Sequence, residues 1–161
     1  MPKFKPLIGS AFNAGFLPNA PGTWGSFFAL IPIYFIAVYG AWYGIIAFTI
    51  LCSFLTVWVS AECEEVWGGD PSPLVMDEFA GQGMAFIGIA LWNPPFNIYL
   101  LLMLGFLFFR FFDIAKPLGV DRLQSLPGGW GILVDDLLAG FYAYLCLEIL
   151  IYAFYYFDVL S

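Results

Sequence analysis

Five carboxylates at the ends of apolar stretches are the groups in this sequence best suited to chemistry. They form the pairs Asp77-Glu78 and Asp135-Asp136, with Asp113 between them in the chain. Carboxylate oxygens are the ligands that Mg²⁺ prefers, together with water and substrate phosphate oxygens. We therefore predict a Mg²⁺ site formed by these five residues. Asp77, Glu78, Asp113 and Asp136 are also the candidates for activating a water molecule.

Cationic and hydroxyl side chains near these acids predict a phosphate-binding site. Arg110 and Lys116 flank Asp113, and a guanidinium binds a phosphate through two parallel hydrogen bonds. Thr23 and Ser26 belong to a Pro-Gly-Thr-x-Gly-Ser turn that is predicted to open a helix. Exposed N–H groups and hydroxyls at such a start can hold phosphate oxygens. We predict that these four side chains bind the phosphate of the substrate.

Simpler interpretations of the same residues remain open. The cations could belong to a solvated loop that only sets membrane topology. Thr23 or Ser26 could be an ordinary helix N-cap. The acidic pairs are predicted to open helices, where the helix dipole alone would favour them by about 0.3–1 kcal/mol.

The missing residue types narrow the chemistry. The chain contains no histidine, and it has no Cys-x₅-Arg phosphatase loop, no Asp-x-Asp-x-Thr/Val motif and no nucleotide-binding glycine loop. The remaining route is attack on the phosphate by a metal-bound water, with a carboxylate as general base. A transient acyl-phosphate on an aspartate is a second route that the sequence leaves open.

The elements that must position these groups are membrane helices. The chain has 161 residues, of which 62% are hydrophobic and 11% charged, and its mean hydropathy is +0.89. Soluble domains are roughly 45–50% apolar and about 25% charged. We predict an all-α integral membrane bundle, residues 1–161 forming a single domain. Its net charge of −7 and its five basic residues exclude a nucleic-acid-binding role.

The apolar runs predict about four to five transmembrane or re-entrant helices. A crossing needs about 20 residues. The first segment is shorter than this, so it is either a span or re-entrant. The predicted helices lie near residues 24–39, 42–61, 79–92, 96–112 and 132–157.

The distribution of Lys and Arg predicts the orientation of these helices. If the N-terminus is cytoplasmic, all five Lys and Arg fall on the cytoplasmic side, as the positive-inside rule requires. The same arrangement gathers residues 23–26, 70–78 and 110–136 at one membrane face. The sequence does not determine how many copies of the chain associate.

Four motifs follow one another along the chain: Pro21-Gly-Thr-Trp-Gly-Ser26, Asp70-Pro-Ser-Pro-Leu-Val-Met-Asp77-Glu78-Phe-Ala-Gly81, Phe109-Arg110-Phe-Phe-Asp113-Ile-Ala-Lys116-Pro117 and Gly128-Gly-Trp-Gly131-Ile-Leu-Val-Asp135-Asp136-Leu-Leu-Ala-Gly140. In this order they resemble the phosphatidylglycerophosphatase A family of bacterial membrane lipid phosphatases. The resemblance covers about residues 9–145, and it implies Mg²⁺-dependent conversion of phosphatidylglycerophosphate to phosphatidylglycerol and inorganic phosphate in the bacterial inner membrane.

Two other functions compete with this interpretation. A CDP-alcohol phosphotransferase also uses metal-bound aspartates, but its Asp-Gly-x₂-Ala-Arg and Gly-x₃-Asp-x₃-Asp signature is missing here. A small ion or proton transporter would explain Glu148 and Asp135-Asp136 as carboxylates within the membrane. It would leave the cations and the Pro-Gly-Thr-x-Gly-Ser turn without a role.

Overall fold

Six helices form the part of the chain that the structure describes. The structure is a computed structural model that describes residues 4–69, 71–89, 97–116 and 128–160, without the side chains of 157–160. A single 3₁₀ turn, Ala14–Phe16, accompanies the helices, and these residues contain no strand. The all-α prediction is therefore confirmed. The helices are α1 (Phe4–Gly9), α2 (Pro21–Tyr39), α3 (Gly44–Trp67), α4 (Met76–Ala85), α5 (Ile98–Ala115) and α6 (Gly129–Leu160).

Four of the helices are long and apolar enough to cross a bilayer. They are α2 with 19 residues, α3 with 24, α5 with 18, and 28 residues of α6 from Gly129 to Tyr156. At about 1.5 Å per residue, α2 and α5 come within about 3 Å of the roughly 30 Å hydrocarbon layer, and α3 and α6 exceed it. Large apolar side chains such as Phe35, Phe54 and Ile149 point outward, as helices that face lipid require. The prediction of a membrane bundle is confirmed.

Helix α4 is short and buried on nearly all sides. Its ten residues rise about 15 Å, and it packs against α2, α3, α5 and α6. The prediction of a third helix reaching Trp92 is wrong at its end, because the helix stops at Ala85 and tight turns follow to Ile89. The side chain of Phe86 packs there against Gly105 of α5. The predicted turn at Asn93-Pro94-Pro95 lies outside the described residues.

Glycines let α4 approach α6 and α5 closely. A Cβ atom added to Gly81 would lie 2.6 Å from Phe109 Cε2 and 2.7 Å from the carbonyl oxygen of Asp136. A Cβ atom on Gly140 would collide with the carbonyl oxygen of Gly81. Small residues allow this kind of backbone contact between helices in lipid. It brings the acidic ends of α4 and α6 together.

Two helix starts differ from their predicted positions. Helix α2 begins at Pro21, with Ala20 as N-cap and no side-chain capping bond, so the prediction that Thr23 or Ser26 caps the helix is wrong. Proline suits the first helical position because its missing N–H has no partner there anyway. Helix α6 begins at Gly129, three residues before its predicted start.

Candidate active site

A cavity of about 690 Å³ opens at one end of the bundle, where α2, α4 and α6 begin and α3 and α5 end. This arrangement agrees with the prediction that these segments share one membrane face. The side of the membrane on which they lie stays a prediction. Ser26 lies buried beside the cavity, within hydrogen-bond distance of Glu78. The other eight predicted site residues line it: Thr23, Asp77, Glu78, Arg110, Asp113, Lys116, Asp135 and Asp136.

Three aspartates form the densest acidic cluster of the cavity. One carboxylate oxygen each of Asp113, Asp135 and Asp136 lies within 4.8 Å of the other two. Asp135 and Asp136 are buried, and Asp136 Oδ2 has no hydrogen-bond partner among the described residues. Buried carboxylates at this spacing repel one another unless a cation or protons compensate them. Their number, oxygen chemistry and burial fit a Mg²⁺ ion.

The position of Asp135 and Asp136 along α6 differs from the prediction. They lie six and seven residues beyond Gly129, in the second turn of the helix. The statement that they open a helix is therefore wrong, and the helix dipole, which acts within the first turn, does not account for them. Instead, Lys116 Nζ donates a hydrogen bond to Asp135 Oδ2. Lys116 reaches this carboxylate from the C-cap of α5, where its backbone is left-handed at φ 43°.

Arg110 connects three helices through one nitrogen. Its Nη1 donates hydrogen bonds to Glu78 Oε2 over 2.7 Å and to Ser26 Oγ over 3.2 Å, and it forms a salt bridge with Asp113 Oδ2 at 2.8 Å. Its Nε is buried and has no partner in the described part of the chain. Arg110 thus holds two acids in place, while the Nε edge of its guanidinium has an unused N–H donor. That edge is suited to a phosphate oxygen.

The two predicted hydroxyl residues differ in what their side chains can do. Ser26 Oγ is fully buried, 2.7 Å from Glu78 Oε2 and 2.8 Å from the carbonyl oxygen of Gly22, and it accepts from Arg110. Since its single proton and its lone pairs already have protein partners, Ser26 is placed to position Glu78 and Arg110. Thr23 lines the cavity and can contact a ligand directly.

Asp77 and Glu78 lie in the first turn of α4, as predicted. Burial, reinforced by the charge of Glu78, raises the pKa of Asp77 well above its usual range. Burial likewise raises the pKa of Glu78 to about 7, although Arg110 and the hydroxyl of Ser26 oppose the shift. Asp77 Oδ1 is buried and lacks a hydrogen-bond partner among the described residues. Glu78 can therefore exchange a proton near neutral pH.

Lys116 keeps its charge despite partial burial. Burial lowers its pKa, but the hydrogen bond to Asp135 and the charges of the neighbouring aspartates outweigh this and leave the pKa raised. An ammonium group is therefore present beside the aspartate cluster at neutral pH.

Sequence reasoning did not identify Glu64 as a cavity residue. It lies in the last turn of α3 and lines the cavity together with Gly69 and Ser72. The pattern that could have found it is an acid at a helix C-terminus, where the dipole disfavours negative charge. Arg122, which lies in the sequence between the third and fourth motifs, is outside the described residues.

A polytopic helical bundle with a cavity of buried carboxylates and cations at one end defines a membrane-embedded enzyme for a phosphorylated substrate. The family model described as phosphatidylglycerophosphatase A matches residues 7–151, and the chain belongs to this family. Membership makes it a phosphatase, and it confirms the resemblance found in the sequence.

Curated relatives cover most of the chain. A protein of Bacteroides thetaiotaomicron named putative phosphatidylinositol-3-phosphatase is 38% identical over 92% of this chain and 94% of its own length. A phosphatidylglycerophosphatase A of Haemophilus influenzae is 33% identical over 85% of this chain and 82% of its own. A phosphatidylglycerophosphatase A of Escherichia coli is 30% identical over 83% of this chain and 76% of its own length. No solved structure matches the chain.

Proposed function

We propose that this protein hydrolyses phosphatidylglycerophosphate to phosphatidylglycerol and inorganic phosphate, with Mg²⁺ as cofactor, at the cytoplasmic face of a bacterial inner membrane. The observation that carries the proposal is the cluster of Asp113, Asp135 and Asp136 beside Arg110 and Lys116, at one end of a membrane bundle. Phosphatidylglycerophosphatases among the relatives support the choice of substrate.

Asp113, Asp135 and Asp136 would hold the metal ion. When bound, Mg²⁺ neutralises phosphate charge and makes a nearby water more acidic. The sequence also predicted Asp77 and Glu78 as Mg²⁺ ligands. Because Glu78 already binds Arg110 and Ser26, these two acids would occupy only coordination positions that the three aspartates leave open.

The phosphate would bind to the cations on the α5 side of the cavity. The free edge of Arg110 and the ammonium group of Lys116 would contact its oxygens, and Thr23 would add a hydroxyl from α2. As the phosphorus–oxygen bond to glycerol breaks, negative charge develops on the oxygens, and these fixed cations would stabilise it.

Asp77 and Glu78 are the candidates for accepting the proton of the attacking water. A base is most effective when its pKa is near the working pH, and burial raises the pKa of both acids from their usual values. The water oxygen would bond to phosphorus while the lipid alkoxide leaves and takes up a proton. Attack by an aspartate, which would give an acyl-phosphate, is the second route.

A second candidate substrate is phosphatidylinositol 3-phosphate. It is suggested by the name of the relative that is 38% identical over nearly the full length. The two substrates are both lipids that carry a phosphate monoester on a hydroxylated headgroup. Family membership argues against the phosphotransferase and transporter alternatives, because neither is a phosphatase.

Phosphate release from both lipids by purified protein in detergent tests the proposal. We expect release with Mg²⁺, none with a chelator, and at least a 100-fold loss in Asp136→Asn. Glu65→Gln, which removes an exposed acid outside the cavity, is the matched control. No release from folded protein, or full activity in Asp136→Asn, would contradict the assignment.

A further inference from the structure

The cavity is larger than its phosphate-binding part. Its volume of about 690 Å³ is within the range of roughly 300–1,000 Å³ typical of sites for whole small molecules. Besides the residues used above, it is lined from the end of α3 by Glu64 and from the α3–α4 connection by Gly69 and Ser72. The proposed function assigns nothing to this side.

The two sides of the cavity differ in charge. Helices α4 and α6 each pack against both α3 and α5, and residues from the ends of both α3 and α5 line the cavity. The α5 side carries Arg110 and Lys116, whereas the last turn of α3 has no basic residue. A phosphate therefore favours the α5 side and is repelled from the α3 side.

Glu64 is available to a ligand on that second side. Its side chain is half-buried and lines the cavity, and within the described part of the chain its carboxylate makes no hydrogen bond or ion pair. It also lies outside the aspartate cluster that fits a metal. An ionised carboxylate only accepts hydrogen bonds, so its natural partner in a ligand is a hydroxyl group.

We propose that Glu64 binds the free hydroxyl of the substrate headgroup and so selects phosphate monoesters of hydroxylated alcohols. The proposal rests on the phosphatase function above. The phosphate would be held by Arg110 and Lys116, while the alcohol that carries it would lie against the end of α3. Glu64 is thus a specificity residue, and its removal changes which lipid is bound.

A matched pair of substrates tests this directly. Phosphatidylglycerophosphate is compared with the analogue in which 1,3-propanediol replaces glycerol, so that only the hydroxyl is missing. We expect the wild-type protein to prefer the hydroxylated lipid about tenfold in kcat/KM. Glu64→Ala should remove the preference by raising KM for that lipid, with kcat changed less than about twofold. Glu64→Gln, which keeps an acceptor oxygen, should retain most of it.

Glu65→Ala is the control, because Glu65 is the exposed neighbour of Glu64 and does not line the cavity. Equal preference in Glu64→Ala and Glu65→Ala would overturn the proposal. So would a loss of kcat on both lipids with the preference retained.

A binding measurement separates this proposal from the failure of the proposed function. Tryptophan fluorescence can report binding of phosphatidylglycerol and of phosphatidylpropanol, whose three-carbon headgroup has no hydroxyl. If wild type hydrolyses neither substrate, the proposed function fails. If wild type binds phosphatidylglycerol more tightly than phosphatidylpropanol and Glu64→Ala does not, hydroxyl recognition by Glu64 is still supported. If wild type binds the two lipids equally, hydroxyl recognition is overturned.

Discussion

Arg110 Nη1 lies 2.7 Å from Glu78 Oε2 and so joins the last turns of α5 to the first turn of α4. Both side chains are nearly buried, and the same nitrogen reaches Asp113. The pair fixes two acids and a cation relative to each other before any ligand enters. Organisation of this kind lets a site stabilise developing charge without rearrangement.

Removing the cation of this pair should destabilise the protein. Arg110→Ala leaves Glu78 buried without its counter-ion, which typically costs about 3–5 kcal/mol, and we expect a clear fall in melting temperature in detergent. Because the pKa of Glu78 is raised to about 7, the loss should be smaller at pH 6 than at pH 8. Adding Glu78→Gln should recover part of it, whereas an equal loss at both pH values would contradict this account.

The contact between α4 and α6 should not tolerate a methyl group. Gly81→Ala would place a Cβ atom 2.6 Å from Phe109 Cε2 and 2.7 Å from the Asp136 carbonyl oxygen, so we expect a loss of about 1–3 kcal/mol in stability. Activity should fall with it, since Asp136 would move. Gly69→Ala, where an added Cβ has no atom within 4 Å, should leave the melting temperature unchanged. Similar behaviour of the two variants would refute the close-packing explanation.

Lys116 should matter for catalysis more than for folding. Lys116→Ala removes the ammonium group beside Asp135, and we expect kcat/KM to fall about 100-fold, with partial recovery in Lys116→Arg. Lys5→Ala serves as control, because Lys5 pairs with Glu62 in a partly exposed salt bridge away from the cavity. Steady-state kinetics on the lipid substrate measure both. If both variants change kcat/KM by the same small factor, Lys116 does not bind the phosphate.

Mg²⁺ and protons should compete for the cavity. Burial raises the pKa of Asp77, and it raises that of Glu78 to about 7. In the metal-free protein, the contribution of Glu78 to stability is therefore fully present below its unfolded pKa of roughly 4.3 and is lost as pH rises from there through about 7.

We expect the melting temperature with chelator to fall between pH 6 and pH 8. Added Mg²⁺ should restore it most at pH 8, where the carboxylates are ionised. Calorimetric titration should show Mg²⁺ affinity rising over the same interval. A pH-independent affinity would contradict the competition.

The sequence by itself determined the membrane bundle and the family, and it singled out eight residues that the structure places around the cavity. Hydrophobic runs long enough to span a bilayer are local properties of the chain, and so is the proximity of Arg110, Asp113 and Lys116 on one helix end. The alternation of the spans then places residues 23–26, 70–78 and 110–136 on one face by counting alone. For these features no distant contact has to be known.

The tertiary structure decided the details that depend on contacts between helices. It ended α4 at Ala85, where Phe86 packs onto Gly105, and it placed Asp135 and Asp136 inside α6 instead of at its start. It grouped Asp113 with these two acids, gave Ser26 a positioning role and brought Glu64 to the cavity. Each of these depends on packing between segments far apart in the chain, and a local pattern of residues carries no information on such distances.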